Sequence, residues 1–464
     1  MAISAQLLQV CCISFFFIGP YRSTLNSHQT LANDWFKKYL ATKTPYASKP
    51  EDSLYDQRPW IASEIPKDYK VLHIDALYRH GTRFPSKQKL LVWWEQLSGL
   101  NRTIDNKILA ETLSIWNQSF PNHRHYTLHK TGWIEHENLA ANLYKMAPQL
   151  FKSILHTNDR QSSLHVLSSH KIRVLASARA FLSQLLCLVE QGKCERYQPW
   201  KVLEDTADVT YSGVEVQVNR SQLRPFDSCS RYEKLMHENE AGSSEYNKFF
   251  LSSHWQALKR EISAHFNGYN VADADVLSLY QLCAFDLALY GRNELCANFS
   301  EYFFELLEYA SDLKHYYKTG YGFGINYHLA CPILEDMLFK LDKAVQAGGS
   351  TNGSVVLRFG HAETLIPFLC LLGLYKDDTP LTAQSFSLHR NARKFRTGTF
   401  SPFAGNIALV LYSSHHNEKM LLSIVLNERV LKLPYADCHY CDYTAFRKLL
   451  ASRLEGINCN KVCD

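Results

Sequence analysis

The chain is 464 residues long, 46% of them hydrophobic and 13% aromatic, and carries a formal net charge of +5. This length allows one large domain with an insertion, or two domains, and the apolar fraction excludes a disordered chain. The mild charge, with no dedicated arm of lysine and arginine, excludes nucleic acid as an expected partner but is compatible with a small anionic substrate.

The N-terminus is predicted to be a signal peptide covering residues 1–22. An apolar stretch runs over residues 7–18, and no charged side chain precedes Arg22. This stretch is too short to span a bilayer, so no membrane span is expected once the signal peptide is removed. Cleavage is expected between Gly19 and Ser27. The alternative is a buried N-terminal helix.

The first predicted elements place a strand directly before a turn. Residues 23–68 are polar, show no strong period and are expected to wrap the surface. A buried strand is predicted at 71–77 and ends at the turn formed by residues 79–81. A second strand is predicted at 164–167, and a helix comes next at 171–190, where apolar residues lie three and four apart.

The middle of the chain is predicted to be helical, and strands return after it. Apolar residues lie three and four apart at 246–266, 272–289 and 301–316. Strand patterns return at 354–359, 407–412 and 421–426. This order indicates an α/β domain made of residues 23–190 and 331–464, interrupted by a helical insertion at 191–330.

Cysteine usage agrees with an oxidising compartment. Without Cys11 and Cys12 of the predicted signal peptide, 11 of the 13 cysteines remain, and several crowd the C-terminal end. The pair Cys438 and Cys441 has no second pair at zinc-like spacing, so disulfides are favoured over a metal site. The odd number leaves one thiol over, and Cys370, in an apolar run, is the candidate.

The sequons and the C-terminus predict a secretory location. Five Asn-x-Ser/Thr sequons begin at Asn101, Asn117, Asn219, Asn298 and Asn352, so N-glycans are expected. The C-terminal Asn-Lys-Val-Cys-Asp is neither an apolar tail for a lipid anchor nor a retention signal. Secretion, or a lysosome-like lumen, is therefore the expectation.

The segment at 79–85, Arg-His-Gly-Thr-Arg-Phe-Pro, carries the chemistry. It comes directly after a buried strand, and open α/β sheets bind ligands at the carboxyl ends of their strands. The two arginines that flank His80 suit a phosphate dianion, and their charge disfavours the imidazolium, which favours a neutral, nucleophilic histidine. Gly81 allows a close backbone approach or an unusual turn, and Pro85 stiffens the end of the segment. The alternative, a core histidine beside solvated arginines, leaves the rest of the string unexplained.

This string resembles the signature of the histidine acid phosphatases, the branch of the Arg-His-Gly phosphatase superfamily that includes phytases. Residues 168–178, Ser-Ser-His-Lys-Ile-Arg-Val-Leu-Ala-Ser-Ala, resemble the strand-to-helix junction of that family, whose arginine, here Arg173, clamps the phosphate. Residues 358–364, Arg-Phe-Gly-His-Ala-Glu-Thr, resemble its distal motif. In that motif His361 would bind the phosphate and Glu363 would protonate the leaving oxygen.

The distal motif also indicates a subfamily. Most phytases and acid phosphatases of this branch have His-Asp there, whereas His361-Ala362-Glu363 is the form associated with multiple inositol polyphosphate phosphatases. The resemblance spans most of residues 65–440. It implies a phosphoglycerate-mutase-like α/β domain with a mixed central sheet and an inserted, mostly helical domain. Members of the subfamily can carry an endoplasmic-reticulum retention tail, which this chain lacks.

The resemblance implies a mechanism without a metal or another cofactor. His80 is expected to attack phosphorus, and Glu363 to act first as general acid and then as base. The phosphate is expected to be bound by Arg79, Arg83, Arg173 and His361. Alternatively, Arg173 is a solvated residue of the helix and does not bind phosphate. Glu363 could likewise be a carboxylate that the helix dipole favours in the first turn, without a role in catalysis. Lys87 and Lys89 are candidates for other phosphates of the substrate, or are ordinary surface residues.

The expected substrates are small phosphorylated molecules: inositol polyphosphates including phytate and, by resemblance, 2,3-bisphosphoglycerate. One alternative is a broad-specificity acid phosphatase, and another is a non-catalytic anion-binding protein on the same scaffold. Glu363 lies one residue beyond the usual aspartate, so its reach is longer. This difference is expected to influence which phosphate of a polyphosphorylated ring is cleaved.

Overall fold

The computed structural model describes residues 35–104, 107–119, 126–156, 160–192, 194, 210–211, 213–238, 244–296, 299–348, 353–390 and 392–463. The predicted signal peptide at 1–22 lies outside these residues, as do the sequons at Asn298 and Asn352. The described residues belong to one compact unit.

A mixed sheet forms the centre of this unit. In the described part of the chain it has ten strands: β1 (Gln57–Pro59), β2 (Tyr69–Arg79), β3 (Leu164–Ser168), β4 (Thr210–Tyr211), β5 (Val214–Val218), β6 (Ser354–Gly360), β7 (Asn406–Ser414), β8 (Met420–Leu426), β9 (Arg429–Leu431) and β10 (Cys441–Asp442). Strands β2, β6, β3 and β5 are parallel neighbours in that order. Strands β7, β8, β9 and β1 continue the sheet from β2 with antiparallel pairing.

Helices of the described residues pack against this sheet or against one another. They are α1 (Lys87–Ile104), α2 (Lys107–Ser119), α3 (Lys130–Met146), α4 (Pro148–Leu155), α5 (Arg160–Ser163), α6 (Ile172–Gln191), α7 (Arg220–Leu223), α8 (Ser230–Glu238), α9 (Ser244–Phe249), α10 (Ser253–His265), α11 (Asp273–Tyr290), α12 (Glu301–Thr319), α13 (Gly324–His328), α14 (Cys331–Ala347), α15 (Ala362–Leu371), α16 (Phe386–His389), α17 (Thr397–Phe400) and α18 (Tyr443–Ala451). Successive side chains of β2 point to opposite faces of the sheet, and each face is covered by its own hydrophobic core. Ile74, Ala76 and Tyr78 pack with α3, α4 and α6, while Leu77 packs in the core that includes α11, α12, α14 and α15.

The predicted α/β fold with a mixed central sheet is confirmed, and helices dominate the middle of the chain. The division into 23–190 with 331–464 and an insertion at 191–330 stays a prediction, with one correction. Strand β5 lies inside 191–330 but pairs in parallel with β3, so it belongs to the central sheet. Its sequence Val-Glu-Val-Gln-Val alternates as a strand with one covered face does, but the helical patterns after it obscured this signal.

Residues 35–48, which we call the N-terminal strap, do not wrap the surface as predicted. They form short 3-10 turns at Trp35–Tyr39, Ala41–Lys43 and Tyr46–Ser48. Phe36 and Leu40 are fully buried in the core. Buried side chains in such turns show neither a helical nor a strand period, so no pattern along the chain indicated their burial.

Helix α6 bears on the prediction that the chain has no membrane span after the signal peptide. Among the described helices, α6 alone is long and apolar enough to cross a membrane, but Phe181 and Leu185 on it are fully buried in the core, as in a core helix.

Ten cysteines pair as Cys187–Cys194, Cys229–Cys463, Cys283–Cys296, Cys331–Cys459 and Cys438–Cys441. Cys370 is buried and unpaired, in agreement with the sequence prediction.

Candidate active site

The carboxyl ends of parallel strands bring the predicted site residues to one edge of the sheet. Strand β2 ends at Arg79, which pairs with Gly360 at the end of β6, and Ser168 of β3 pairs with Phe359. The pairing continues past the strands, since the His80 N–H donates to the Gly360 carbonyl at 3.0 Å. The three sequence motifs therefore meet where a parallel sheet binds its ligands.

The turn after His80 packs backbone against backbone on helix α3. A Cβ on Gly81 would lie 2.5 Å from the Gly132 carbonyl oxygen, and a Cβ on Gly132 would lie 2.2 Å from that of Thr82. The Gly81 N–H also donates to Ser177 Oγ on α6 at 3.1 Å. Contacts from two helices thus fix the turn, and glycine is needed at position 81 for the close approach.

His80 is buried, and its hydrogen bond defines its tautomer. Its Nδ1 lies 2.9 Å from the Gly81 carbonyl oxygen. A carbonyl only accepts, so Nδ1 carries the proton and the lone pair of the neutral ring lies on Nε2. Burial lowers the pKa of His80 well below its usual value, and the charges of Arg173, Arg79 and Arg83 lower it further. The lowered pKa favours the neutral imidazole.

Three arginines surround the site, each against an aromatic ring. The guanidinium of Arg79 lies 4.7 Å from the centre of the Phe403 ring. Those of Arg83 and Arg173 lie 5.6 Å and 5.5 Å from the centre of the Tyr126 ring. Burial lowers the pKa of Arg79 and Arg83 to about 10 and that of Arg173 to about 9. Three cations crowded in this way form a ready site for an anion.

His361 lies next to His80, with ring centres 5.6 Å apart, but both of its nitrogens have protein partners. Its Nδ1 accepts from Arg173 Nη2 at 3.2 Å, so its Nε2 donates to Ser169 Oγ at 2.8 Å. Burial and the charge of Arg173 lower the pKa of His361 well below its usual value. In this structure His361 therefore orients Arg173. Ser169 was not among the predicted site residues, although it lies in the segment that resembles the phosphatase junction.

Glu363 is placed in the first turn of α15. Burial alone would raise the pKa of this carboxyl, but the surrounding groups, among them His361, its own backbone N–H, His315 and Arg79, lower it well below its usual range. Glu363 is therefore a carboxylate at mildly acidic pH.

The two lysines after the signature differ in their surroundings. Lys87 is exposed and lines an apolar cleft with Leu91 and Trp94, so the structure does not bring it to the arginines. Lys89 also reaches solvent but interacts electrostatically with Arg83, and partial desolvation followed by this charge lowers the pKa of Lys89. Two residues on a helix point to different faces, and for this reason only one of the two lysines reaches the site.

Glu135, on α3, is a buried carboxylate that no sequence motif indicated. It accepts from the Thr82 N–H at 2.7 Å, from Thr82 Oγ1 at 2.9 Å and from the Tyr46 N–H at 3.2 Å. It therefore ties the signature turn to the N-terminal strap. The residue lies in a helix far from both segments in sequence, so no local pattern could have revealed this role.

Replacing Glu135 by glutamine is expected to lower kcat more than it raises KM. The amide nitrogen of glutamine cannot accept, so one of the three donors loses its partner, at a cost of about 1–3 kcal/mol. The turn that carries His80 then loses its fixed geometry. Steady-state kinetics with phenyl phosphate measure the effect, and Glu111→Gln, at an exposed position on α2, is the control. A change in thermal stability without any change in kcat would contradict this positioning role.

The comparison with known families identifies the chain. Residues 70–427 match the model of the histidine phosphatase superfamily, branch 2, so the chain belongs to that family. It is a histidine acid phosphatase of the inositol-polyphosphate-phosphatase and phytase type, and thus a phosphoric monoester hydrolase. The family, the fold and the enzyme class predicted from the sequence are confirmed.

Relatives and solved structures agree with this assignment. The chain is 29% identical to multiple inositol polyphosphate phosphatase 1 of Homo sapiens over 448 residues, which cover 92% of this chain and 88% of that protein. Identity to the Gallus gallus protein of the same name is 28%, with 92% of both chains covered. The crystal structure of the Bifidobacterium longum multiple inositol polyphosphate phosphatase with inositol hexasulfate has a TM-score of 0.69 at 17% identity, covering 89% of this chain and 98% of that chain. The D. castellii phytase has a TM-score of 0.69 at 16% identity, covering 96% and 91%.

Proposed function

We propose that this enzyme hydrolyses the phosphomonoesters of inositol polyphosphates, phytate included, through a phosphohistidine on His80. The observation that carries the proposal is the hydrogen bond from His80 Nδ1 to the Gly81 carbonyl, 2.9 Å long. It leaves the Nε2 lone pair for attack on phosphorus, among three arginines that match a phosphate dianion.

In the first step, Nε2 of His80 bonds to phosphorus while the ester P–O bond breaks. Arg79, Arg83 and Arg173 stabilise the charge on the equatorial oxygens. Glu363 takes the proton of the incoming phosphate monoanion and transfers it to the departing alcohol oxygen, so the product leaves as a neutral alcohol. The Nδ1 proton of His80 stays on Nδ1, which donates to the Gly81 carbonyl oxygen throughout.

In the second step, the Glu363 carboxylate takes a proton from a water molecule, and the water oxygen attacks phosphorus. The P–Nε2 bond breaks, and inorganic phosphate leaves with the proton that Glu363 took from water. His80 is then again a neutral imidazole and Glu363 a carboxylate. The arginines supply the positive charge in both steps, so the proposed reaction routes no step through a metal.

The activity is expected to fall as pH rises above about 6. The surrounding groups keep the pKa of Glu363 well below its usual range, so the proton for the leaving group enters with the substrate as the phosphate monoanion. The second pKa of a phosphate monoester is near 6, and above it the monoanion fraction falls about tenfold per pH unit. Measuring kcat/KM for phenyl phosphate from about pH 4 to about pH 8 tests this. A rise between pH 6 and pH 8 would contradict it.

The substrate class is supported by positive charge beyond the three arginines. Lys89 and Lys43 both interact electrostatically with Arg83, and Lys318 interacts with Lys89. Such a surface suits a ring that carries several phosphates. We expect kcat/KM for inositol hexakisphosphate to exceed that for phenyl phosphate. A wide preference for the aryl ester would support the alternative, a broad-specificity acid phosphatase. The smaller 2,3-bisphosphoglycerate is proposed as a second substrate.

For the location, we propose secretion or a lumen of the secretory pathway. The disulfide pairing described above requires an oxidising compartment. Of the sequons within the described residues, Asn117 is exposed, Asn101 is half-buried, and Asn219 caps α7 by accepting from the Gln222 N–H at 3.0 Å. Asn117 is thus the proposed glycan site. Enzymatic deglycosylation of the protein secreted from eukaryotic cells, wild type against Asn117→Gln, tests both points.

A further inference from the structure

Lys43 is a half-buried cation of the N-terminal strap that lies beside the active site, and the proposed mechanism does not use it. Its Nζ lies 5.9 Å from the centre of the Phe285 ring, and the Arg83 guanidinium lies 6.0 Å from the same centre. Lys43 and Arg83 therefore lie against one aromatic side chain, which belongs to helix α11. No sequence signal marks Lys43, because it belongs to no motif and lies in a segment without a period.

The surroundings of Lys43 lack a negative partner in direct contact. Among the described residues no carboxylate lies within ion-pair distance of it, and its Nζ donates instead to Thr42 Oγ1 at 3.1 Å. Burial lowers the pKa of Lys43 well below its usual value, the charges of Lys89 and Arg83 lower it further, and Glu363 offsets them only in part. A desolvated ammonium among other cations is unfavourable on its own, and an anion that binds there removes the penalty.

The position of Lys43 is fixed by contacts on either side of it in the strap. Tyr280 Oη donates to the Tyr39 carbonyl at 2.7 Å, and the Phe403 N–H donates to the Thr44 carbonyl at 2.9 Å. Ala41, two residues before Lys43, has a φ of +47°, which is in the left-handed region that residues with a Cβ seldom adopt. Such backbone persists where the surrounding contacts enforce it, and it is concentrated at functional sites.

A polar chain extends from Lys43 into the helical middle of the protein. Thr42 Oγ1, which accepts from Lys43, lies 3.4 Å from His315 Nε2, and His315 Nδ1 lies 3.5 Å from Thr319 Oγ1. His315 and Thr319 are on α12. The polar groups around Lys43 therefore come from both the strap and α12.

We propose that Lys43 binds a second phosphate of the substrate, one that is not being cleaved, while the arginines bind the reacting phosphate. This inference rests on the proposed function and names the residue that distinguishes a polyphosphorylated ring from a simple phosphate ester. The ligand class is a phosphate or another tetrahedral oxyanion attached to the same small ring. Lys43 acts on affinity for such substrates and takes no part in proton transfer.

The test measures inhibition of phenyl phosphate hydrolysis by two anions in the wild type and in Lys43→Met. Inositol hexasulfate presents several oxyanions on one ring, and inorganic phosphate presents one. We expect Lys43→Met to raise the inhibition constant of the hexasulfate about tenfold, the effect of losing one charged hydrogen bond. The inhibition constant of inorganic phosphate and kcat for phenyl phosphate should change less than about twofold.

Two further variants serve as controls. Lys43→Arg retains the charge and should restore most of the affinity for the hexasulfate. Lys49→Met removes a lysine of the adjoining segment that lies 4.0 Å from the centre of the Tyr46 ring, and it should change neither constant. An unchanged hexasulfate constant in Lys43→Met, or an equal loss for both anions, would overturn the proposal. Because the test needs no turnover of an inositol phosphate, it stays decisive even if the wild type fails to hydrolyse one.

Discussion

Replacing His80 by alanine is expected to lower kcat for every phosphomonoester by about four orders of magnitude or more, as loss of a covalent nucleophile does. The reason is local: the Nδ1 hydrogen bond to Gly81 leaves Nε2 of this imidazole unprotonated. The neighbouring His361 cannot take over the nitrogen–phosphorus bond, since its ring nitrogens contact Arg173 and Ser169. Initial rates with phenyl phosphate measure the loss.

A labelling experiment connects this loss to the intermediate. Wild-type enzyme mixed with substrate carrying radioactive phosphate and quenched in alkali should retain label on histidine, because phosphohistidine survives alkali but not acid. His80→Ala should retain none. His416→Ala, at an exposed histidine, is the matched control and should label like the wild type. Substantial activity in His80→Ala would disprove covalent catalysis by this residue.

The site residues that could be predicted from the sequence lie in recognisable segments. Arg79 and His80 are contiguous with a strongly apolar strand, so both their identity and their place at a strand end could be predicted. His361 lies in a second motif, and the parallel register that pairs Arg79 with Gly360 places the two motifs side by side, as the α/β pattern implies. Such segments can be predicted because the hydrophobic period of a strand or helix is visible within a short stretch of sequence.

The residues that were missed act through tertiary contacts alone. Glu135 reaches the Thr82 N–H and the Tyr46 N–H from a helix that is remote from both in sequence. Lys43 comes to the site on irregular turns, whose buried side chains show no period. Which of Lys87 and Lys89 lies nearer the site depends on which face of α1 is turned toward the arginines, and the sequence alone does not define this. The phosphate contact of His361 stays a prediction, and in this structure its ring nitrogens contact Arg173 and Ser169.

Replacing Glu363 by glutamine is expected to affect substrates according to their leaving groups. Glutamine keeps the size of the side chain but supplies no proton. An inositol alkoxide is a poor leaving group, so its turnover should fall about a thousandfold, in the range measured for lost general acids. Nitrophenolate leaves without a proton, so phosphorylation of His80 by nitrophenyl phosphate should slow less than about tenfold.

The same substitution also removes the base of the second step, and this makes the outcome specific. With nitrophenyl phosphate, Glu363→Gln should release one equivalent of nitrophenol in a burst and then slow, because water is no longer activated and the phosphohistidine accumulates. Stopped-flow absorbance measures the burst, and alkaline quenching measures the trapped label. Asp378→Asn, at an exposed carboxylate paired with Lys394, is the control and should behave as the wild type. Equal losses for both substrates without a burst would mean that Glu363 only supports the fold or the phosphate clamp. A burst confined to the aryl ester would assign both proton transfers to this one carboxyl, whose low pKa then explains why the proton must arrive with the substrate.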